Sequence, residues 1–219
     1  MLIDLNLKGK QVVVVGGGRE ATGKVELLLH QHCQVAVVAD RISDSIHQWE
    51  REKKLTCTTM IVQNGDFLKD YENLILVMAI TDSRDLNRTL VMAGLKLGCY
   101  VYAVDDPEVS DFSHPSVIAL DANVQVAIST NGKSPLMART FRQRLEPILR
   151  QNITRIDLLQ VRLQARMREL AKEQLKDIAE RKKFLQDIMV NPEIQSFLER
   201  GNLQEAEYFA CQQLKKLSK

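Results

Sequence analysis

Three small residues, Gly16, Gly18 and Ala21, stand directly after the valines Val12, Val13, Val14 and Val15 and directly before a helical pattern. The spacing G-x-G-x-x-A between a strand and a helix is one that can hold a dinucleotide. Gly16 permits a tight turn, Gly18 lets backbone amides approach a pyrophosphate, and Ala21 lets the helix pack close to the sheet. The diphosphate would meet the helix start at Arg19 and Glu20, where unpaired amides and the helix dipole favour negative charge. The bland alternative is a plain tight turn. At the end of the next apolar run stands Asp40, an acid able to accept hydrogen bonds from both ribose hydroxyls and to repel a 2'-phosphate, so NAD is expected over NADP. Arg41 beside it works the other way, because a basic side chain there tolerates that phosphate. Thr81 and Asp82 follow a buried strand and are candidate contacts on the nicotinamide side; equally, they could be the loop and N-cap of the next helix.

These residues need a frame, and the apolar periodicity supplies one. Apolar runs at 10–15, 34–39, 56–62, 74–80 and 100–104 read as strands, and helical spacing appears at 21–30, 42–53 and 85–97. Strands alternating with helices imply right-handed crossovers and a Rossmann-type, doubly wound parallel sheet. Residues 112–115 read as a loop and 124–129 as a half-exposed strand. Ser134 followed by Pro135 marks a helix start, with the helix expected to reach about Leu149. An amphipathic stripe from Ile156 to Leu185 reads as one long helix, Asn191 with Pro192 restarts a short one ended by Gly201, and Asn202 with Glu205 has capping-box spacing before the last. The expected fold class is therefore α/β. A dinucleotide-binding region at 1–112 is followed by a small α+β region at 113–150 and a helical region at 151–219.

Composition narrows the function classes. A net charge of +2, with Arg181, Lys182 and Lys183 as the one dense basic cluster, gives no field for nucleic acid, and that cluster reads as a solvated helix face. The apolar run at 74–80 is too short to span a bilayer, and Asp4 interrupts the amino terminus before a secretion signal could form. No membrane partner and a cytoplasmic location are expected. The 4 cysteines, Cys33, Cys57, Cys99 and Cys211, are scattered without metal-ligand spacing, so neither a bound metal nor a disulfide is expected.

Three further segments are more specific than the glycine turn: ITDSRDLN at 80–87, AVDDPEVSDFSHP at 103–115 and AISTNGKSPLMAR at 127–139. With VVVVGGGREA at 12–21, in this order and at these distances, they resemble the precorrin-2 dehydrogenase family, including the amino-terminal half of siroheme synthases. The resemblance covers residues 1–150 and implies NAD-dependent oxidation of the tetrapyrrole precorrin-2 to sirohydrochlorin. In some members it also implies insertion of ferrous iron, and it implies an interlocked homodimer. It assigns the family's essential aspartate to Asp105, as a general base or an acceptor of pyrrole protons. Without it, Asp105 and Asp106 read as caps of a turn before Pro107.

For a substrate rich in carboxylates, the amides near Lys133 and Ser134, with Arg139 one turn on, offer an anion site; the alternative is an ordinary capped helix with a surface arginine. The chain departs from the family where Gly23 replaces the usual arginine before Lys24, where Thr130 and Asn131 replace serine and glycine, and at His114, commonly apolar in relatives. His114 could help deliver a metal to the substrate, or could simply pack. A competing class is a non-catalytic NAD-sensing module that signals through its carboxy-terminal helices.

Overall fold

The computed structural model describes residues 2–217; positions 1, 218 and 219, the outer ends of the first and last expected regions, lie outside the described residues. The chain divides into two compact units, Met1–His114 and Pro115–Lys219.

The first unit holds a five-stranded parallel sheet of β1 (Gln11–Val15), β2 (Gln34–Ala39), β3 (Thr56–Thr59), β4 (Leu74–Ala79) and β5 (Tyr100–Ala103), in the order β3-β2-β1-β4-β5. Three α-helices connect them: α1 (Arg19–Leu29), α2 (Asp44–Arg51) and α3 (Arg84–Lys96). A strand covered on both faces needs apolar residues at every position, and β1 has them: Val12 and Val14 pack with α1 and α2, while Val13 and Val15 pack with α3. The doubly wound sheet expected from the alternating pattern is thus present. Two details differ. Residues Asp66–Asp70 form a 3-10 turn that the periodicity did not mark, and β3 ends at Thr59 because its partner β2 ends at Ala39, directly opposite.

The second unit begins with a hairpin, β6 (Ser116–Ala119) antiparallel to β7 (Gln125–Ile128), on which α4 (Pro135–Asn152) packs. The sequence marks no strand at β6, because four residues with a serine at one end carry too little alternation. α4 runs past its expected end near Leu149 and contains Pro147, whose missing N–H removes one backbone bond without ending the helix. The expected helix from Ile156 to Leu185 is instead two, α5 (Arg155–Gln174) and α6 (Ile178–Val190). Leu175 leaves the helix in an extended conformation yet stays buried, and Asp177 accepts a hydrogen bond from the Ala179 amide to start α6. The apolar stripe continues through the break because both helices bury it in one core. That core is completed by α7 (Pro192–Glu199) and α8 (Leu203–Leu217). A reciprocal capping box is found at Thr154 and Asp157; at α8, Asn202 accepts from the Glu205 amide.

Candidate functional site

The loop between β1 and α1 is shaped by two glycines that have no room for a side chain and one that does. Gly16 has φ +126°, a conformation that disfavours any Cβ, and a Cβ there would run into the Ile80 carbonyl oxygen. Gly17, which sequence reasoning passed over, lies against the carbonyl of Arg41 and accepts the Ser43 amide at 2.9 Å. This contact brings the Asp40–Arg41 segment beside the turn. Gly18 has nothing within 4 Å of its missing Cβ, and it is the N-cap of α1 with no side chain capping that helix. Open space over free amides at a helix start suits a diphosphate. Arg19 and Glu20 are exposed there, Ala21 is buried against the sheet, and Asp40 and Arg41 are exposed at the end of β2. The residues present therefore fit a dinucleotide.

At the ends of β4 and β5 a second feature joins the candidates. Asn87, fully buried on α3, accepts the Thr81 amide at 3.0 Å and the Thr81 hydroxyl at 2.7 Å through Oδ1. Its Nδ2 donates to the Thr81 carbonyl at 3.0 Å and to Asp105 Oδ1 at 2.9 Å. With two bonds accepted and two donated, the amide is saturated and its orientation follows from its partners. Asp105 is exposed beyond this single anchor. Its neighbour Asp106 points inward, 2% exposed, to Arg84 at 3.2 Å and Arg88 at 2.7 Å. The Arg88 guanidinium, with Arg84 behind it, holds that carboxyl below the usual carboxylate range. The two adjacent acids are thus sorted: one is locked in an ion pair, and the other is aimed and left available. Neither caps the turn before Pro107, since the 3-10 turn Pro107–Val109 has no side-chain cap. Nor does Asp82 cap α3; Ser83 does, accepting from the Leu86 amide, and Asp82 stays exposed. Asn87 was missed, although a polar residue between Leu86 and Leu90 on an apolar helix face is a signal that could have found it.

His114 stands edge-on to the rings of Tyr102 and Phe112, at 4.9 and 5.4 Å between centroids, while Lys24 lies 5.3 Å over Tyr102. Partial burial of the imidazole against those two rings, with the Lys24 charge adding, lowers it to about 4, so the ring is neutral there although the residue keeps an exposed side. In the second unit, Ser134 caps α4 through the Met137 amide, and Lys133 and Arg139 are exposed beside that helix start. The turn before it is held by Thr130, whose hydroxyl accepts the Ser134 amide at 3.1 Å, and by Asn131 at φ +52°. Asparagine tolerates this left-handed conformation, so the residue standing where glycine is usual keeps the turn.

A family model described as putative NAD(P)-binding matches residues 3–116, and one described as sirohaem biosynthesis protein, central, matches residues 121–146. The siroheme synthase of Gluconacetobacter diazotrophicus is 37% identical over 150 residues, 66% of this chain and 31% of that protein. The siroheme synthase of Photorhabdus laumondii is 32% identical over 213 residues, 97% of this chain and 43% of that one. The chain spans less than half the length of either relative. Its fold is shared with a solved structure of SirC, a precorrin-2 dehydrogenase, at a TM-score of 0.67 and 22% identity over 99% of both chains.

Proposed function

The chain belongs to the siroheme synthase and precorrin-2 dehydrogenase family through its putative NAD(P)-binding domain, and from that premise we propose that it oxidises precorrin-2 to sirohydrochlorin with NAD. The observation that carries the reading is the sorted acid pair: Asp105 is anchored by buried Asn87 and is otherwise free, on the same strand ends as the open glycine turn. Oxidation of this kind removes a hydride and a proton, and NAD when bound supplies the hydride acceptor. The free amides from Gly18 onward hold the diphosphate, and Asp40 accepts from the ribose hydroxyls, which favours NAD over NADP. Thr81, fixed by Asn87, lines the nicotinamide side. Asp105 accepts the macrocycle's proton; with one oxygen tied to Asn87, the other is presented in a fixed direction.

Carboxylates on the macrocycle's rim suit the exposed cations Lys133 and Arg139 at the start of α4. A homodimer is supported by the stripe Met137, Phe141, Leu145 and Ile148, all at least 39% exposed on one face of α4. Anaerobic incubation of precorrin-2 with NAD tests the reading: NADH appears in step with sirohydrochlorin, and Asp105→Asn abolishes turnover while keeping dinucleotide affinity. Folded protein that forms no NADH at saturating NAD overturns it. Adding ferrous ion to sirohydrochlorin and following the absorption spectrum decides whether metal insertion accompanies the oxidation.

A further inference from the structure

On the outer edge of the sheet, at the opposite end from β5, three side chains with metal-binding atoms converge from two elements. His47 and Glu50 are one turn apart on α2, and Cys57 is on the edge strand β3. One imidazole nitrogen, one carboxylate oxygen and the thiol sulfur all lie within 4.8 Å of one another. We propose that His47, Glu50 and Cys57 form a binding site for a borderline divalent cation of the zinc or cobalt(II) class, which would clamp α2 to β3.

Three features carry the assignment. The His47 Nδ1 to Glu50 Oε2 distance is 3.3 Å. Bonds of about 2.0 Å from a tetrahedral ion to nitrogen and oxygen put those ligands about 3.3 Å apart, so this edge is already formed. The donor set mixes one soft, one borderline and one hard ligand, a choice that selects zinc-like ions over magnesium or calcium. The second carboxylate oxygen, Glu50 Oε1, is held by the Cys57 amide at 3.0 Å, so the ligating oxygen is oriented from behind. All three residues are half-buried, which leaves a fourth position for water. Without metal the thiol keeps its proton: burial and the Glu50 charge push it up to about 12. Binding replaces that proton with a metal–sulfur bond and releases it to solvent, with no change of oxidation state. The cysteine spacing gave no hint of this, because two of the three ligands are not cysteines and the third comes from a strand beyond the next turn.

The chain's one tryptophan, Trp49, lies two residues from His47 and packs on the same apolar layer as Cys57, so it reports on the site directly. The test is titration of the reduced full-length protein with Co²⁺ alone, without dinucleotide or tetrapyrrole. Expected are a thiolate-to-cobalt charge-transfer band saturating at one equivalent, tetrahedral visible bands, and parallel quenching of Trp49. Cys57→Ser removes the charge-transfer band, while His47→Gln, a change at a half-exposed position, keeps it and weakens binding at least about tenfold. Zn²⁺ raises the melting temperature of the parent protein and not of Cys57→Ser. A missing charge-transfer band, a band that survives Cys57→Ser, or full affinity in His47→Gln overturns the proposal and leaves the trio as a hydrogen-bonded tie between helix and strand.

Discussion

The side chain that organises the candidate site is an asparagine, and its chemistry gives the sharpest expectation. Asn87→Ala leaves the Thr81 amide without its partner and costs about 1–3 kcal/mol of stability. It also frees Asp105 to rotate, so turnover falls by about 10- to 100-fold through kcat, with dinucleotide affinity kept; steady-state kinetics beside a direct binding measurement separates the two. His114 makes an opposite kind of contribution. Its folded value of about 4 lies below the unfolded 6.5, so the unfolded chain binds the extra proton between these values. The packing of neutral His114 is therefore fully effective above pH 6.5 and is lost as pH falls toward about 4. In denaturant titrations across that window, His114→Phe keeps the ring contacts with Tyr102 and Phe112 and flattens the acid-side decline. Single residues were unevenly legible. Asp40 was found because it ends an apolar strand. The run Val104-Asp105-Asp106-Pro107 does not say which acid is free, since that depends on Arg84 and Arg88 arriving from another element.

The turn between β1 and α1 invites a comparison within one motif. Gly18→Ala meets open space, so stability stays within about 0.5 kcal/mol of the parent, while dinucleotide binding is lost to the new methyl group. Gly17→Ala drives a methyl group into the Arg41 carbonyl and destabilises the unliganded protein by about 1–3 kcal/mol. Thermal melts paired with calorimetric titration of NAD distinguish a residue kept for its ligand from one kept for its neighbour. Elements with long, consistent periodicity were readable: apart from the shortened β3, the strands and helices of the parallel sheet stand close to where the apolar spacing put them. What failed was punctuation. α5 and α6 share one apolar stripe across Leu175, so periodicity saw a continuous helix where Asp177 starts a second. β6 was hidden because its partner β7, rather than its own four residues, makes it a strand.

Across the whole chain, the apolar layers around the sheet and the core of the carboxy-terminal helices are separate clusters. Residues 1–114 alone are therefore expected to fold and to bind NAD within about threefold of the full chain, about 0.6 kcal/mol, but not to turn over. Far-ultraviolet circular dichroism and calorimetry check this, and an unfolded fragment would show that the sheet needs the second unit. The close approach of Gly16 to Ile80 has a longer reach. Ile80 leads into Thr81, Thr81 is fastened to Asn87, and Asn87 steers Asp105. The glycine turn and Asp105 are thereby joined through one packing contact and a few covalent and hydrogen bonds. Under the proposed function, if filling either half stiffens the other, thermodynamic reciprocity requires NADH and sirohydrochlorin to raise each other's affinity by one and the same factor. Such cooperativity, read from titrations of each product with and without the other, would arise with no moving lid.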